Sequence, residues 1–447
     1  MKFLKYIIST MLVASYVFLM FLLESLGLYS NKYILLISVV VLVFIILLVC
    51  LIFELKTKLK ILCYVIGIVF LLIILFISYI LNSMAGFINK TGKVVTNYDN
   101  YYLISLKEND KNESVGILDD MFLSEGSKIY EDRYELYSDL INKKIDSIII
   151  SDVDLYFIEK EDKDFINKIK VIDIIKQEKE KVKYTTKEIT TDAFIIYISG
   201  IDTDGVISKV SRSDVNIIVV VNPNTHQMLL VNIPRDYYVN LHGKDAKDKL
   251  THAGLYGIDT SIKTIEDLLS ININYYIRIN FDSVVKVVDE IGGIDITSDQ
   301  DLNFCSIKKG INHVDGACAL KYARERKSYL SGDRHRGENQ QEVIKAVLSK
   351  IKKNKLLIFK YPIILNKLKN NFETNIKNDD IKDFIKKDIK YLPKWVIKSY
   401  NLNGSDSKNY TYSMGKKRML YVMEPDYNTV LKAKELINDV LNNKEIK

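Results

Sequence analysis

The sequence is poor in the residues that build several common kinds of catalytic site. It has five histidines, four cysteines, five prolines and one tryptophan in 447 residues. The histidines are scattered, and no His-Glu-x-x-His, Cys-x-x-Cys, Gly-x-Ser-x-Gly or Walker sequence occurs. Zinc-protease, thiol-redox, elbow-type hydrolase and P-loop chemistries are therefore disfavoured.

An excess of charge of one sign is also lacking. The formal net charge of +7 is small for a chain of this length, and no helix-turn-helix or basic recognition arm is evident. We therefore expect no nucleic-acid partner.

Long apolar runs are present, and all of them lie near the N-terminus. Residues 4–23, 33–53 and 61–81 are three nearly uncharged stretches of about twenty residues, the length that crosses a hydrocarbon core. The first does not end in an Ala-x-Ala cleavage site. We predict a three-span membrane anchor that stays attached.

Lysine placement predicts the orientation of this anchor. Lysines gather before the first span and between the second and third, whereas the first loop has only one lysine beside Glu24. The positive-inside rule then places the N-terminus in the cytoplasm and the chain after residue 81 outside. The lysines are Lys2, Lys5, Lys56, Lys58 and Lys60 on the cytoplasmic side, and Lys32 in the first loop.

We divide the chain into an anchor (residues 1–90), an accessory α/β domain (91–190) and a larger domain (191–447). In the accessory region we predict strands at 115–118 and 147–150, a helix at 130–142, and a Lys/Glu-rich connector ending near 191. No Gly-rich loop or metal spacing occurs there. Its role is either structural or regulatory, or it contacts a glycan or another partner.

The larger domain alternates strand-like and helical patterns. Such alternation predicts a three-layer α/β arrangement, and ligands in such sheets bind at strand ends. The predicted strands are 193–199, 216–221, 228–233, 275–281 and 294–297, and the predicted helices are 261–269, 283–291, 317–326, 338–352 and 428–442.

Acidic and guanidinium side chains stand at the ends of these apolar runs. Asp202 follows the first predicted strand, Arg212 and Asp214 precede the second, and Arg235 follows the third. Each aspartate taken singly could be a turn former, and Arg235 with Asp236 could be an ordinary surface ion pair. In combination they predict a pyrophosphate site, because guanidinium forks bind phosphate and carboxylates hold the hard cations that neutralise it.

Four further arginines extend this set. Arg324 and Arg326 would diverge by about 200° on one regular helix, so we predict that the helix ends near Arg324. Arg334 and Arg336 are predicted to precede a helix that starts near Glu338, with Gln340 in its first turn; a helix N-terminus attracts anions. The alternative for these arginines is a solvated basic patch.

Cys305 and Cys318 are the only cysteines outside the predicted spans. Their even number and predicted location favour a disulfide, although the spacing leaves open whether the two residues approach each other.

The motifs closely resemble those of the LytR-CpsA-Psr family, in order and spacing, over residues 192–351. A three-span anchor followed by a small module resembles the capsule-type members. The motifs are Gly200-Ile-Asp-Thr, Ser211-Arg-Ser-Asp-Val-Asn, Val231-Asn-Ile-Pro-Arg-Asp, Lys249-Leu-Thr-His-Ala, Tyr275-Tyr-Ile-Arg-Ile-Asn-Phe, Gly292-Gly-Ile-Asp-Ile, Tyr322-Ala-Arg-Glu-Arg and Gly332-Asp-Arg-His-Arg-Gly-Glu-Asn-Gln-Gln.

This resemblance implies a phosphotransferase outside the membrane, with a mixed central sheet in its catalytic domain. Such enzymes move teichoic acid or capsular polysaccharide from a polyprenyl pyrophosphate carrier to a peptidoglycan hydroxyl, using Mg²⁺ or Mn²⁺. The resemblance assigns the metal to Asp202 and Asp214, catalysis also to Arg235, Arg324 and Arg326, and pyrophosphate binding to Arg212, Arg235, Arg324, Arg326, Arg336 and Gln340.

Three points stay open. Asp202 is a candidate general base, and Asp236 is expected to be the structural partner of an arginine. The helix at 283–291 either lines a slot for the lipid or packs in the core. The competing functions are a membrane-bound transcription attenuator and a non-catalytic glycopolymer-binding scaffold; the paired aspartates favour the enzyme.

Overall fold

The computed structural model describes most of the chain. The described residues are 2–26, 31–55, 57–88, 98–109, 113–118, 120–178, 182–203, 207, 210–330, 332–354, 364, 367–368, 371–391 and 393–446.

The three predicted spans coincide with three long apolar helices, α1 (Lys2–Leu26), α2 (Asn31–Glu54) and α3 (Thr57–Ile88). Each is long and apolar enough to cross a membrane. Leu12, Ile52 and Ile74 are buried between the helices, whereas most other apolar side chains point outward. An outward apolar surface of this kind is stable in lipid and unfavourable in water.

A small α/β module follows the anchor. Its five strands lie in the order β3-β2-β4-β1-β5, and three helices cover the sheet. The strands are β1 (Tyr98–Leu106), β2 (Val115–Ile117), β3 (Ser127–Ile129), β4 (Ser147–Ser151) and β5 (Ile169–Glu178), and the helices are α4 (Arg133–Ile141), α5 (Asp152–Glu161) and α6 (Lys163–Lys168).

Strand β5 lies where we predicted a connector, so that prediction was wrong for residues 169–178. Most of its side chains are exposed, and it pairs antiparallel with β1 along the whole strand. Lysine and glutamate on an exposed edge strand look like a solvated linker in sequence, because backbone pairing rather than burial holds the strand in place.

The larger domain is built on a six-stranded sheet of order β14-β11-β6-β7-β8-β15. The β6–β11 and β8–β15 pairs are parallel, and the other pairs are antiparallel. The predicted mixed sheet is therefore confirmed. Its strands are β6 (Phe194–Ile201), β7 (Ser213–Asn222), β8 (Gln227–Asn232), β11 (Tyr275–Ile279), β14 (Phe372–Thr374) and β15 (Val396–Asn401).

Helices cover both faces of this sheet, which confirms the three-layer arrangement. One face packs on α7 (Leu250–Ala253), α8 (Ile258–Leu269) and α13 (Tyr427–Leu441), with Ile265 and Ile437 fully buried. The other packs on α11 (Asp333–Lys353) and α12 (Asn378–Tyr391).

A lobe at one end of the sheet contains α9 (Phe281–Glu290), α10 (Gly316–Arg324) and the hairpin β12 (Ile294–Ser298) to β13 (Gly310–Val314). Cys305 and Cys318 form a disulfide within this lobe, with Cα atoms 6.1 Å apart. Two more antiparallel pairs complete the domain, namely β9 (Tyr238–Leu241) with β10 (Ala246–Lys249), and β16 (Gly404–Thr411) with β17 (Gly415–Pro425).

Helix α11 begins at Asp333, five residues before the predicted start at Glu338. Arg334 and Arg336 therefore lie within its first turns rather than before it. Gly337 lets this helix approach the sheet closely, because a Cβ atom there would clash with the Asn232 amide at the end of β8. Close packing of α11 on β8 thus sets where the Arg336 and Gln340 side chains point.

The small module packs directly on the larger domain. Val153 and Phe157 of α5 contact Leu255 and Met414. Arg133, almost fully buried, pairs with Asp154 at 2.8 Å. Arg133 and Asp154 both belong to the small module; across the contact, Arg418 of the larger domain pairs with Glu161 of α5 at 2.7 Å. The apolar contact and this ion pair give the two modules a defined relative position.

Candidate active site: an arginine pocket at the end of the central sheet

The first candidate aspartate follows β6 and is held by an arginine. Asp202 Oδ2 accepts hydrogen bonds from Arg212 Nε at 3.1 Å and from Nη2 at 2.5 Å. The Asp202 side chain is 17% exposed and that of Arg212 is 41% exposed. Two hydrogen bonds from one guanidinium to the same oxygen orient the carboxylate, and the pair stays open to solvent on one side.

The second aspartate lies at a β-bulge. In the pairing of β6 with β7, Gly200 opposes Val215 and Ile201 opposes Ser213, so Asp214 is the extra residue. A bulge bends the strand and redirects the side chain of the inserted residue. Asp214 therefore reaches the end of the sheet instead of lying on one face of it.

Asp214 is the centre of a dense polar network. Its Oδ2 accepts from Arg235 Nη1 at 2.8 Å, its Oδ1 accepts from Thr251 Oγ1 at 3.0 Å, and its carbonyl accepts from Arg336 Nη2 at 2.8 Å. Asp333 Oδ1 then lies 3.2 Å from Arg235 Nη2 and 3.3 Å from Arg336 Nη1. Arginines from two elements are thus fixed against two carboxylates.

Asp236 holds the same arginine from another side. Its carboxylate is 3.6 Å from Arg235 Nε and accepts a 2.9 Å hydrogen bond from Lys249 Nζ. This is the structural partnership that we predicted for Asp236.

Arg324 and Arg326 lie at the end of α10. The helix ends at Arg324, and Glu325 has extended backbone angles, which confirms the predicted helix end. The Arg324 guanidinium lies 4.2 Å from the centre of the Phe281 ring, a cation–π contact. Both arginines are exposed, so neither depends on an ion pair to be accommodated.

These groups surround a pocket of about 250 Å³ between the sheet, α9, α10 and α11. We call it the arginine pocket, defined by Asp214, Arg235, Arg324, Arg326, Arg336 and Gln340 at its polar end. The rest of its lining is mainly apolar and comes from Ile198, Val215, Ile279, Phe281, Val284, Leu320, Ala323, Val343 and Ile344. A cluster of cations therefore opens directly onto an apolar cavity.

The charged groups of this site shift one another's pKa values. Burial raises the pKa of Asp214, but Arg235, Arg336 and Arg212 outweigh that effect and hold the pKa below its usual value. Burial opposes the charge of Arg235, but Asp214, Asp333 and Asp236 raise its pKa. Burial and the charge of Arg235 lower the pKa of Arg336. Arg235 is thus paired with carboxylates, whereas the desolvated Arg336 would be stabilised by an additional anion.

The structure brings together most of the sequence-predicted site residues. The Asp202–Arg212 pair lies outside the pocket lining, but Arg212 acts electrostatically on Asp214. Arg334 turns away and donates to Gly404 O at 2.8 Å and to Asp406 at 3.0 Å. Asp204 lies outside the described residues.

Three residues at the site had no role assigned from sequence. Thr251 and Phe281 stand in recognised motifs, which was the available signal for them. Tyr156, on α5 of the small module, lies beside Arg212 and interacts with its charge. Nothing in the local sequence around Tyr156 indicated that contact.

The two expected metal ligands have the donor atoms that a magnesium ion prefers. Asp202 and Asp214 supply hard carboxylate oxygens near the cluster of arginines, and Mg²⁺ uses one or two carboxylates together with water and substrate phosphates. In the part of the chain that the structure describes, no three His, Cys, Asp or Glu side chains are grouped as a metal site.

The fold and site define an α/β protein with a membrane anchor and a pocket suited to an anion joined to an apolar chain. The LytR_cpsA_psr family model matches residues 165–427. The match covers well over half of the chain, and the chain belongs to that family.

Two similar proteins share one name, polyisoprenyl-teichoic acid–peptidoglycan teichoic acid transferase TagU. The protein from Enterococcus faecalis is 32% identical over 212 residues, which is 46% of this chain and 68% of the relative. The protein from Bacillus subtilis is 33% identical over 236 residues, which is 51% of this chain and 75% of the relative.

Solved structures with similar chains include TagV of B. subtilis and TagT bound to LI-WTA. The first is 29% identical, with a TM-score of 0.47, and the match covers 56% of this chain and 98% of TagV. The second is 26% identical, with a TM-score of 0.46, and the match covers 59% of this chain and 95% of TagT. Family membership follows from the sequence match alone.

Proposed function

We propose that this protein is a membrane-anchored phosphotransferase that moves an anionic glycopolymer from a polyprenyl pyrophosphate carrier to peptidoglycan. The main supporting observation is the arginine pocket, in which guanidinium groups border an apolar cavity. A pyrophosphate attached to a hydrocarbon chain has the same two parts in the same order. The relatives named as teichoic acid transferases support this substrate class.

The apolar cavity is the part of the pocket that would take the isoprenoid. Val284 of α9 lines the cavity, whereas Val288 is buried in the core of the adjoining lobe. One helix would therefore line the lipid slot and also pack in the core. At about 250 Å³ the cavity would hold only the part of the chain nearest to the pyrophosphate, and the remainder would extend toward the bilayer.

The reaction is a displacement at the phosphorus that bears the glycopolymer. An acceptor hydroxyl forms the new P–O bond, the bond to the bridging oxygen breaks, and polyprenyl phosphate leaves. Arg235, Arg324 and Arg326 would offset the charge that builds on the phosphate oxygens, and fixed charge of this kind is usually the largest catalytic contribution.

The acceptor hydroxyl must also lose its proton. Asp202 is the carboxylate that we assign to accept it, because the two Arg212 hydrogen bonds orient its side chain and leave one side open. A Mg²⁺ or Mn²⁺ ion on Asp202 and Asp214 would neutralise the pyrophosphate and lower the barrier to its cleavage. Asp236 would keep Arg235 in position rather than contact substrate.

The distribution of lysines supports an extracytoplasmic site. Lysines lie before the first span (Lys2 and Lys5) and between the second and third spans (Lys56, Lys58 and Lys60). By the positive-inside rule, those ends would lie in the cytoplasm. The small module and the larger domain would then lie outside, where peptidoglycan is found.

The test uses the full chain in detergent with magnesium, a short-chain polyprenyl pyrophosphate saccharide and peptidoglycan fragments. Mass spectrometry follows the transfer of saccharide. We expect transfer by the unchanged protein, loss of at least about 100-fold in Arg235→Ala and Asp202→Asn, and near-normal transfer in Arg334→Ala, whose guanidinium faces Asp406. Tight binding of the lipid without any transfer would refute the enzyme and favour the scaffold.

A further inference from the structure

A second and larger cavity lies between the small module and the larger domain. Its volume is about 1040 Å³, against about 250 Å³ for the arginine pocket. Strands and helices of the small module form one wall, and β9, β10 and the β16–β17 hairpin form the other. The volume suits an extended ligand of several rings rather than a single one.

Aromatic side chains line both walls of this cavity, which we call the tyrosine groove. Tyr412 is 36% exposed and Tyr410 is 47% exposed. The Tyr256 and Tyr412 rings lie 5.9 Å apart and tilted. Tyrosine offers a flat apolar face and a polar tip, which together match a sugar ring with its C–H faces and hydroxyl edge. The aromatic residues of the groove are Tyr101, Phe122, Tyr130, Tyr238, Tyr256, Tyr410 and Tyr412.

The charge of the groove is opposite to that of the arginine pocket. Six carboxylates line it against three cations, and Asp154 already neutralises Arg133 at 2.8 Å. The other two cations, Lys244 and Lys247, lie within 6.0 Å of tyrosine ring centres. Net negative charge disfavours a phosphate polymer, whereas carboxylates accept hydrogen bonds from the hydroxyl and amide groups of a neutral saccharide. The carboxylates are Asp99, Glu131, Asp132, Glu135, Asp152 and Asp154.

One buried hydroxyl in the groove has no partner among the described residues. Thr411 is 2% exposed and lines the groove, and its Oγ1 has no hydrogen-bond partner among the groups that the structure describes. A buried hydroxyl without a partner is unfavourable, so an extra donor or acceptor at this position would stabilise the site. A ligand rich in hydroxyl groups supplies one.

Two segments run from the groove to the Asp202–Arg212 pair, which lies beside the arginine pocket. Val210, which lines the groove, stands two residues before Arg212. Helix α5 contributes Asp152 and Asp154 to the groove and places Tyr156 beside Arg212. A chain bound in the groove would therefore lead toward the carboxylate at which an acceptor hydroxyl is needed.

We propose that the tyrosine groove binds the neutral glycan strand of the acceptor and presents its hydroxyl to the arginine pocket. This inference rests on the proposed function, in which the glycan strand is the acceptor of the transferred polymer. It assigns the small module a substrate-binding role, because half of the groove belongs to that module.

The test measures binding of a neutral β-1,4-linked N-acetylglucosamine hexamer to the full chain in detergent by calorimetry. We expect binding by the unchanged protein and a loss of about tenfold in Tyr412→Ala and in Tyr238→Ala. Tyr412→Phe, which keeps the ring, should restore most of the affinity. Tyr427→Ala removes an exposed tyrosine at the start of α13, outside the groove, and should bind normally.

A second titration separates this inference from the proposed function. Short-chain polyprenyl pyrophosphate should bind the Tyr412→Ala protein normally and the Arg235→Ala protein poorly. No hexamer binding, or binding that the groove tyrosines do not affect, overturns the groove assignment even if transfer proceeds. Tyrosine-dependent binding of a soluble teichoic acid fragment in preference to the hexamer overturns it as well, because the groove would then hold the donor.

Discussion

The arginine pocket and the tyrosine groove differ in charge and in how many modules build them. The pocket has cations around an apolar cavity and belongs wholly to the larger domain, whereas the groove has carboxylates and tyrosines from both modules. The pocket is rigidified by a network of ion pairs, and the groove depends on how two modules pack. Substitutions that remove contacts of one site should therefore impair binding or activity at that site and leave the other site unchanged.

Asp214→Asn is expected to give the largest difference between its effect on the arginine pocket and its effect on the tyrosine groove. The change removes the charge that holds Arg235 at 2.8 Å, so we expect transfer to fall by about 10² to 10³-fold while hexamer binding in the groove stays unchanged. Mass spectrometry and calorimetry on one preparation measure both. Asp295→Asn is the matched control, since Asp295 pairs with His313 on an exposed hairpin. Equal losses in the two variants would contradict the assignment.

Removing the disulfide should destabilise the lobe beside the pocket and leave the groove unchanged. Cys305 and Cys318 are 13 residues apart and tie together the lobe that carries Phe281 and Arg324. Cys305→Ser with Cys318→Ser should lower the free energy of unfolding by about 3 kcal/mol, as expected for a loop of this length. Denaturant unfolding measures the change. The affinity for the hexamer, measured without denaturant on the folded protein, should be unchanged.

Removing a buried charge near the groove should affect the groove alone. Asp248 is fully buried, and it accepts hydrogen bonds from Ser413 N at 2.8 Å and from His252 at 2.7 Å, which anchors the turn between β16 and β17. Asp248→Asn should cost about 1–3 kcal/mol and weaken hexamer binding, because Tyr412 lies in that turn and Tyr410 lies near the end of β16. Asp295→Asn, at an exposed Asp–His pair of the same length, should cost less than about 1 kcal/mol.

The effect of Asp248 should depend on pH. Burial raises the pKa of Asp248, but His252 and Ser413 outweigh burial and hold the pKa below its usual value. A depressed folded-state pKa stabilises the protein above the unfolded value of about 3.9, and the contribution is lost as pH falls through the folded value. The stability difference between the protein and Asp248→Asn, measured by denaturant unfolding at each pH, should shrink as the pH falls below about 4.

The smallest effect is expected from Phe281→Leu. The substitution keeps the pocket apolar but removes the ring that lies 4.2 Å from the Arg324 guanidinium. A cation–π contact of this kind is worth about 0.5–1 kcal/mol at an exposed site, so KM for the lipid donor should rise about two- to fivefold. In an Arg324→Ala background the same change should have no further effect; an additive loss would show that the two side chains act separately.

Local sequence predicted those features that local chemistry decides. The three apolar helices were predicted from the length of the uncharged stretches. The helix end at Arg324 was predicted because side chains two residues apart point in different directions on a helix. The start of α11 was misplaced, because no side-chain cap precedes it and Gly332 occupies the N-cap position. Strand β5 was missed because its stability comes from pairing with β1 and not from its own pattern. The paired residues are far apart in the chain: Tyr98 faces Glu178, 80 residues later.

The site residues divide in the same way. The sequence alone determined the anchor, the mixed α/β domain and the inventory of arginines and aspartates, because periodicity, length and residue type decide these locally. Only the tertiary structure decided that Asp214 projects from a bulge, that Arg334 turns away while Arg336 turns in, and that tyrosines from two modules face one groove. Those outcomes depend on strand register and module packing, which are set by contacts between residues far apart in the chain.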